Sequence, residues 1–283
     1  MHPILFKIPL HVLGWPDLPV FSYGFMVMLG FLAAIALTLR LAKREGIHAD
    51  RIYDLSLLAI MGGVAGARLL WVLLFARSGD LRSWVDYLAV WKGGLVYYGG
   101  LLAALALCSA YVRLKNLPWG RTADCFAPGL AVGLALGRIG CFLNGCCFGR
   151  IAPADAWCAV RFPEGSLAMQ HQLALGAIAA GPSLPVYPTQ LMESAAGLVL
   201  LAILLLAYRF RRFPGEVTLL FLALYSIARF CLEFFRDDTG LLLSCGGFPG
   251  LKAGQITAIV VLVPALTIWL HLRRRARRPG PAD

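Results

Sequence analysis

The segment Pro188–Tyr208 reads PTQLMESAAGLVLLAILLLAY, and from Gly197 onward it carries no charged residue. As a helix it would be about 30 Å long, matching the hydrocarbon thickness of a bilayer. Its one carboxylate, Glu193, sits where a charge costs on the order of 3 kcal/mol, so it needs a partner or a purpose. Working outward, six further windows have similar length and apolarity, at about Phe21–Leu41, Ile52–Phe75, Gly94–Val112, Ala123–Phe142, Val217–Phe235 and Gln255–Leu272. The whole chain agrees. Its 283 residues are 59% hydrophobic and 14% charged, where soluble domains run nearer half and a quarter. The composition excludes an ordinary soluble domain, a disordered chain and a fibre. The expected fold class is all-α, a polytopic membrane protein of about seven transmembrane helices.

Charge placement predicts the orientation. The net charge is +11, and the larger share of Lys and Arg falls on one side of the spans, including Arg40, Lys43, Arg44, Arg113, Lys115, Arg209, Arg211, Arg212 and the run Arg273–Arg278. The positive-inside rule then puts the N-terminus outside and the C-terminus in the cytoplasm. The terminal arginine run directly follows a span, so it reads as a topology anchor rather than a nucleic-acid site. Met1–Val20 contains prolines, Asp17 and no continuous apolar core, so no cleaved leader is expected and the first span serves as its own anchor. Residues 147–187 form the longest interspan segment, too long for a tight turn, and are expected to make a small outward-facing head. Residues 1–283 are read as a single integral-membrane domain. No internal repeat is visible, which disfavours repeat-built transporters.

Five charges within spans stand out: Arg68, Arg138, Glu193, Arg229 and Glu233, with Arg236 at a span end. Arg229, Glu233 and Arg236 are spaced i, i+4, i+7 and share a helical face. An internal ion pair accounts for Glu233 and one arginine, and Glu193 offsets one more. A positive surplus remains, and a positive cavity suits an anion, with arginine's planar fork suited to phosphate. In a membrane the abundant phosphate is a phospholipid headgroup.

Arg138 opens the run GRIGCFLNGCCFG, residues 137–149. Upstream, Gly129, Gly133 and Gly137 form a small-residue stripe that lets a helix approach closely. The glycines after Arg138 predict an irregular turn. A second glycine-flanked segment, GGLVYYGG at 93–100, and Tyr23 at the start of the first span offer tyrosines suited either to the membrane interface or to the site. Cys141, Cys146 and Cys147 cluster, but Cys-x4-Cys-Cys is not a standard zinc spacing and no histidine lies near in sequence, so no metal site is expected. Disulfides are open for Cys158 and Cys245. His2, His11, His48, His171 and His271 occupy termini, loops or a span end, leaving no histidine base for the cavity.

Taken in order, these segments resemble the bacterial prolipoprotein diacylglyceryl transferases. The resemblance runs from Tyr23-Gly24 through Gly66-Ala67-Arg68, the Gly93–Gly100 segment, Gly137-Arg138-Ile139-Gly140 closing at Gly149, Tyr187-Pro188-Thr189-Gln190-Leu191-x-Glu193 and Arg229-Phe230-x-x-Glu233-Phe234-Phe235-Arg236, to Gly254-Gln255. It implies a multi-pass enzyme of the bacterial cytoplasmic (inner) membrane, with its site toward the outer leaflet. Such an enzyme moves the diacylglyceryl group of phosphatidylglycerol onto the lipobox cysteine of a preprolipoprotein signal peptide and releases glycerol phosphate. Its partners are those two substrates and membrane lipids, with no nucleic acid, metal or diffusible cofactor. By the same resemblance Arg138 and Arg229 hold the phosphate and Glu233 orients Arg229. Tyr23 lines the headgroup site, Gly149 shapes the entrance, and Arg68, Glu193 and Arg236 complete the substrate-binding set.

Two positions depart from the family pattern. Tyr98 stands where the best-known members carry a histidine often assigned as base, and Cys141 where they carry an asparagine. A phenol ionises only near pH ~10 in water. The expectation is therefore that the substrate thiol ionises in the arginine field, with Tyr98 as hydrogen-bond partner or proton relay and Cys141 a spectator in the binding set. Two other classes fit a positive cavity: a non-catalytic phospholipid-binding or lipid-translocating paralogue, and an anion transporter.

Overall fold

A computed structural model describes residues 3–9, 17–75, 84–153, 155–236, 241–243 and 251–277. His2, His11, Cys245, Arg278 and parts of the N-terminal segment discussed above lie outside the described residues. Among the described residues, seven helices are long and apolar enough to cross a membrane. They are α1 (Ser22–Arg44), α2 (Ala49–Phe75), α4 (Tyr97–Leu114), α5 (Trp119–Asn144), α7 (Thr189–Phe210), α8 (Glu216–Leu232, continued by a 3-10 turn Glu233–Phe235) and α9 (Ala253–Arg277). Two short helices, α3 (Trp84–Leu88) and α6 (Leu167–Ala174), lie between them. Hydropathy did not announce two small antiparallel ribbons. One pairs β1 (Ile4–Ile8) with β2 (Leu18–Phe21), and the other pairs β3 (Leu241–Leu243) with β4 (Leu251–Lys252).

The chain divides into two compact units, Met1–Leu37 with Phe126–Asp283, and Thr38–Cys125. In the larger unit α5 is the most enclosed of the candidate spans, with 39% of its apolar window buried. Small residues on α5 make this possible. Gly133 lies against Gly30 of α1, where an added Cβ on Gly30 would come within 3.2 Å of the Gly133 carbonyl. On another face Ala131 and Ala135 receive Gly197 of α7, and the Ser194 hydroxyl donates to the Ala135 carbonyl at 3.0 Å. Helix α8 packs on both α7 and α9.

The segment expected to form a head has its own core of Phe162, Ala168 and Val186, with Phe142 and Phe148 against it. The Ser166 hydroxyl caps α6 by accepting from the Met169 amide at 3.2 Å. Val186 bridges both Ile151 and Val160, so the segment folds as a small irregular sheet around one short helix.

In the smaller unit α2 and α4 meet backbone to backbone. A Cβ on Gly66 would sit 2.3 Å from the Ala103 Cβ, and one on Gly99 would sit 2.5 Å from the Gly66 carbonyl. Helix α4 begins at Tyr97 rather than at Gly94 as hydropathy suggested. Gly93 and Gly94 have φ of 82° and 73°, outside the right-handed helical region, and the helix starts only after them.

Candidate functional site

Glu193 projects from the second turn of α7 and is buried. Three guanidiniums converge on it. Arg138 of α5 binds Oε2 through Nε at 2.7 Å, Arg236 binds Oε1 at 2.9 Å, and Arg229 of α8 lies 3.4 Å from Oε1. Arg229 also pairs with the fully buried Glu233 at 2.7 Å, the i, i+4 pair that the spacing predicted. Three arginines around two carboxylates leave one net positive charge. The arginines are not equivalent. Arg138 and Arg229 keep 21% and 20% of their side chains open, whereas Arg236 keeps 7%. Arg236 therefore acts mainly within the protein, and the two accessible forks are Arg138 and Arg229.

Glycines place this cluster. An added Cβ on Gly254, at the start of α9, would lie 2.5 Å from Glu233 Oε2 and 3.0 Å from Arg229 Nη2. Gly149 sits where three backbone segments meet, since its Cβ would lie 2.5 Å from the Phe235 carbonyl and 2.8 Å from that of Tyr187. Its amide donates to the Tyr187 carbonyl at 2.9 Å, and the next amide, of Arg150, donates to that of Phe235 at 2.8 Å. Gly149 thus ties the ends of α5 and α8 to the start of α7 and carries no ligand-facing group of its own. Lys252, which closes β4, donates from Nζ to the Arg236 carbonyl and lies 3.4 Å from that of Glu233, closing the end of α8.

Tyr23, half-exposed at the start of α1, lies within electrostatic reach of Arg138, Cys141, Cys146 and Cys147. Gly140 of α5 admits this end of α1, its Cβ position being 3.3 Å from the Tyr23 carbonyl. A cleft lined by Leu134, Glu193, Gly197, Leu200, Tyr225 and Arg229 runs from the charge cluster between α5, α7 and α8. Apart from its charged end it is largely hydrocarbon.

The cysteine turn follows α5 directly. Gly145 at φ 75° ends the helix, with its amide donating to the Phe142 carbonyl and the Cys146 amide to that of Cys141, both at 3.2 Å, the paired bonds of a Schellman cap. Thr189 and Gln190, fully buried at the start of α7, donate to the carbonyls of Cys147 at 2.9 Å and Cys146 at 2.7 Å. Hydrogen bonds from Cys141 and Cys146, helped by the charges of Arg138 and Arg236, hold the Cys147 thiol below its ordinary range despite burial. A spacing rule does not foresee this convergence, because it is made by a chain reversal. Thr189 and Gln190 were legible only as part of a motif, without a role.

Arg68 and Tyr98 belong to the smaller unit. Arg68 is buried and donates to the carbonyls of Tyr87 at 3.2 Å, Gly93 at 2.6 Å and Gly94 at 3.0 Å, with its guanidinium 4.4 Å from the Trp71 ring centroid. These contacts make it a clamp on the turn that leads into α4. Tyr98 stands in the first turn of α4, half-exposed, edge-on to Tyr97 at 5.7 Å.

With this geometry in view, comparison with known proteins is decisive. Residues 10–271 match the family described as prolipoprotein diacylglyceryl transferase. The chain belongs to that family. Among its relatives, a phosphatidylglycerol–prolipoprotein diacylglyceryl transferase of Geobacter sulfurreducens is 34% identical over 264 residues, covering 92% of each chain. Proteins of the same name from Burkholderia cenocepacia and Burkholderia lata are 32% and 33% identical, covering 100% and 98% of this chain and 99% and 98% of their own. The family match spans all seven apolar helices apart from the last residues of α9, so the arginine–glutamate cluster and the α4 turn both lie inside it.

Proposed function

We propose that this member of the transferase family moves the diacylglyceryl group of phosphatidylglycerol onto the lipobox cysteine of a preprolipoprotein, in the inner membrane of a bacterium and on the outer-leaflet side. One observation carries the reading. Arg138 and Arg229 stay partly open at the edge of a cluster with one surplus positive charge.

In the reaction the substrate thiolate attacks the glyceryl carbon that bears the phosphate. A carbon–sulfur bond forms, the carbon–oxygen bond breaks, and glycerol phosphate leaves with one more negative charge than it had as a diester. The thiol proton goes to solvent, with the Tyr98 hydroxyl as the proposed relay. Arg138 and Arg229 offset the charge that develops on the departing phosphate, which lowers the barrier where the charge appears. Glu193 and Glu233 hold these two forks in place beforehand, so little reorganisation is needed during reaction. Tyr23 lines the headgroup pocket, Arg236 shares Glu193 with both forks, and Arg68 sets the turn that presents Tyr98. Cys141 borders the pocket one turn beyond Arg138.

The test is mass spectrometry of a lipobox peptide incubated with purified protein and phosphatidylglycerol vesicles, with R138A alongside. A diacylglyceryl mass on the peptide cysteine, reduced at least ~100-fold in the variant, is expected, since loss of one charge-stabilising donor costs that much or more. Phosphatidylglycerol bound but never consumed would instead make the protein a lipid-binding paralogue. Anion flux without lipidation would make it a transporter.

A further inference from the structure

Cysteines that only fill space do not need an unusual backbone. Cys147 has one. Its φ is 58°, and among the described non-glycine residues only Asn116 shares a positive φ. An L-residue in the left-handed region costs on the order of 1–2 kcal/mol, and a cysteine lacks the side-chain amide by which asparagine bonds its own backbone there. The turn is held by four hydrogen bonds already described, two from the Schellman cap and two from Thr189 and Gln190. The product of this arrangement is a convergence: the sulfur atoms of Cys141, Cys146 and Cys147 all lie within 4.8 Å of one another.

We propose that these three cysteines form a trigonal thiolate site for a soft, low-coordination metal ion of the copper(I) class. Three sulfurs around a metal at about 2.3 Å stand roughly 4 Å apart, so the observed set needs only a small contraction. Thiolates select soft ions over hard ones. Among the described residues no histidine, aspartate or glutamate joins the group, so zinc, which prefers four ligands, would lack its fourth side chain, whereas copper(I) is satisfied by three sulfurs. Binding converts three thiols and one monovalent ion into a complex of charge −2 with release of three protons. Arg138, one helical turn before Cys141, faces the same side and offsets part of that charge. Cys141 is buried while Cys146 and Cys147 are half-buried, which leaves a path for the ion. The site also touches the machinery of transfer mechanically, because Thr189 and Gln190 hold the turn from the helix that carries Glu193. The proposal does not depend on the transferase reading.

The test uses the full chain, purified, fully reduced and kept anaerobic in detergent. It is titrated with copper(I) buffered by a chromophoric chelator. One ion per chain should be withdrawn from the chelator, and X-ray absorption should find three sulfurs at about 2.3 Å. C141S, C146S and C147S should each weaken binding at least ~100-fold, while C108S, C125S and C231S bind as the parent does. A footprint of the unaltered protein removes any question of misfolded variants: bound copper should shield Cys141, Cys146 and Cys147 from alkylation and leave Cys231 reactive. Failure to withdraw copper, a shell with fewer than three sulfurs, equal binding by the triple serine variant, or unshielded cysteines in the loaded protein would each overturn the proposal.

Discussion

Glu193 is the residue on which the charge cluster turns, because one buried carboxylate is shared by Arg138, Arg229 and Arg236. In E193Q the shape survives but three guanidiniums face one another with only Glu233 between them. Leaving buried charge unpaired costs about 3–5 kcal/mol, so the variant should melt several degrees lower in detergent and lipidate peptide at least ~100-fold more slowly. Parental melting and turnover together would refute the hub. Gly254 offers a finer test. In G254A the new methyl group would compete for space with Glu233 Oε2 and Arg229 Nη2, moving one fork by a fraction of an ångström, and turnover should fall ~10–100-fold. G63A is the control, since nothing lies within 4 Å of a Cβ there, and it should stay within ~0.5 kcal/mol of the parent. The embedded charges were legible in the sequence because charge in an apolar window is locally anomalous. The sharing at Glu193 and the need for glycine at 254 were not, because each is a contact between helices distant in sequence. Arg68 shows the converse: its anomaly was visible, but its contacts with the carbonyls of Tyr87 in α3 and of Gly93 and Gly94 before α4 were not, because they join segments 19 to 26 residues away in sequence.

At the scale of elements, the first two turns of α7 gather Thr189, Gln190 and Glu193 on one short stretch, so one helix end sets both the cysteine turn and the arginine cluster. In Q190L the Cys146 carbonyl loses its buried donor, at a cost of about 1–3 kcal/mol. The turn should then open more often, and alkylation of Cys146 and Cys147, followed by mass spectrometry of their peptide, should run roughly 5–100-fold faster. An unchanged rate would mean that the Schellman cap and Thr189 hold the turn without Gln190. The seven spans themselves were readable because a span's hydropathy is a property of one segment and needs no partner. Their ends were less so: positive φ at Gly93 and Gly94 delays α4 to Tyr97, and the reversal at Gly145 fixes the end of α5. The ribbon β1–β2 was missed because strands of four or five residues beside an apolar helix carry too short a pattern to stand out.

For the whole molecule, what remains to be tested is orientation, and charge argues it. The basic residues cluster at the ends of α1, α4, α7 and α9, and each positive group left on the wrong side would have to cross an apolar barrier against the membrane potential, at about 2.3 kcal/mol per charge per 100 mV. The folded segment around Phe162 joins the opposite end of α5 to the start of α7, the end that carries Arg138 and Glu193. If the basic ends face the cytoplasm, this segment and the arginine cluster face outward, where a signal-peptide cysteine emerging from export would arrive. Cys158 belongs to that segment and is a free thiol, so a membrane-impermeant maleimide should label it in intact spheroplasts, while a tag fused at the C-terminus should resist added protease until the cells are opened. The opposite pattern would invert the chain and place the proposed phosphate-binding forks in the wrong leaflet for exported substrates. Reading the label by mass spectrometry on the peptide that holds Cys158, with the Cys158→Ser variant as its blank, fixes the signal to that one position, so the result reads the side of the membrane and not the reactivity of another thiol.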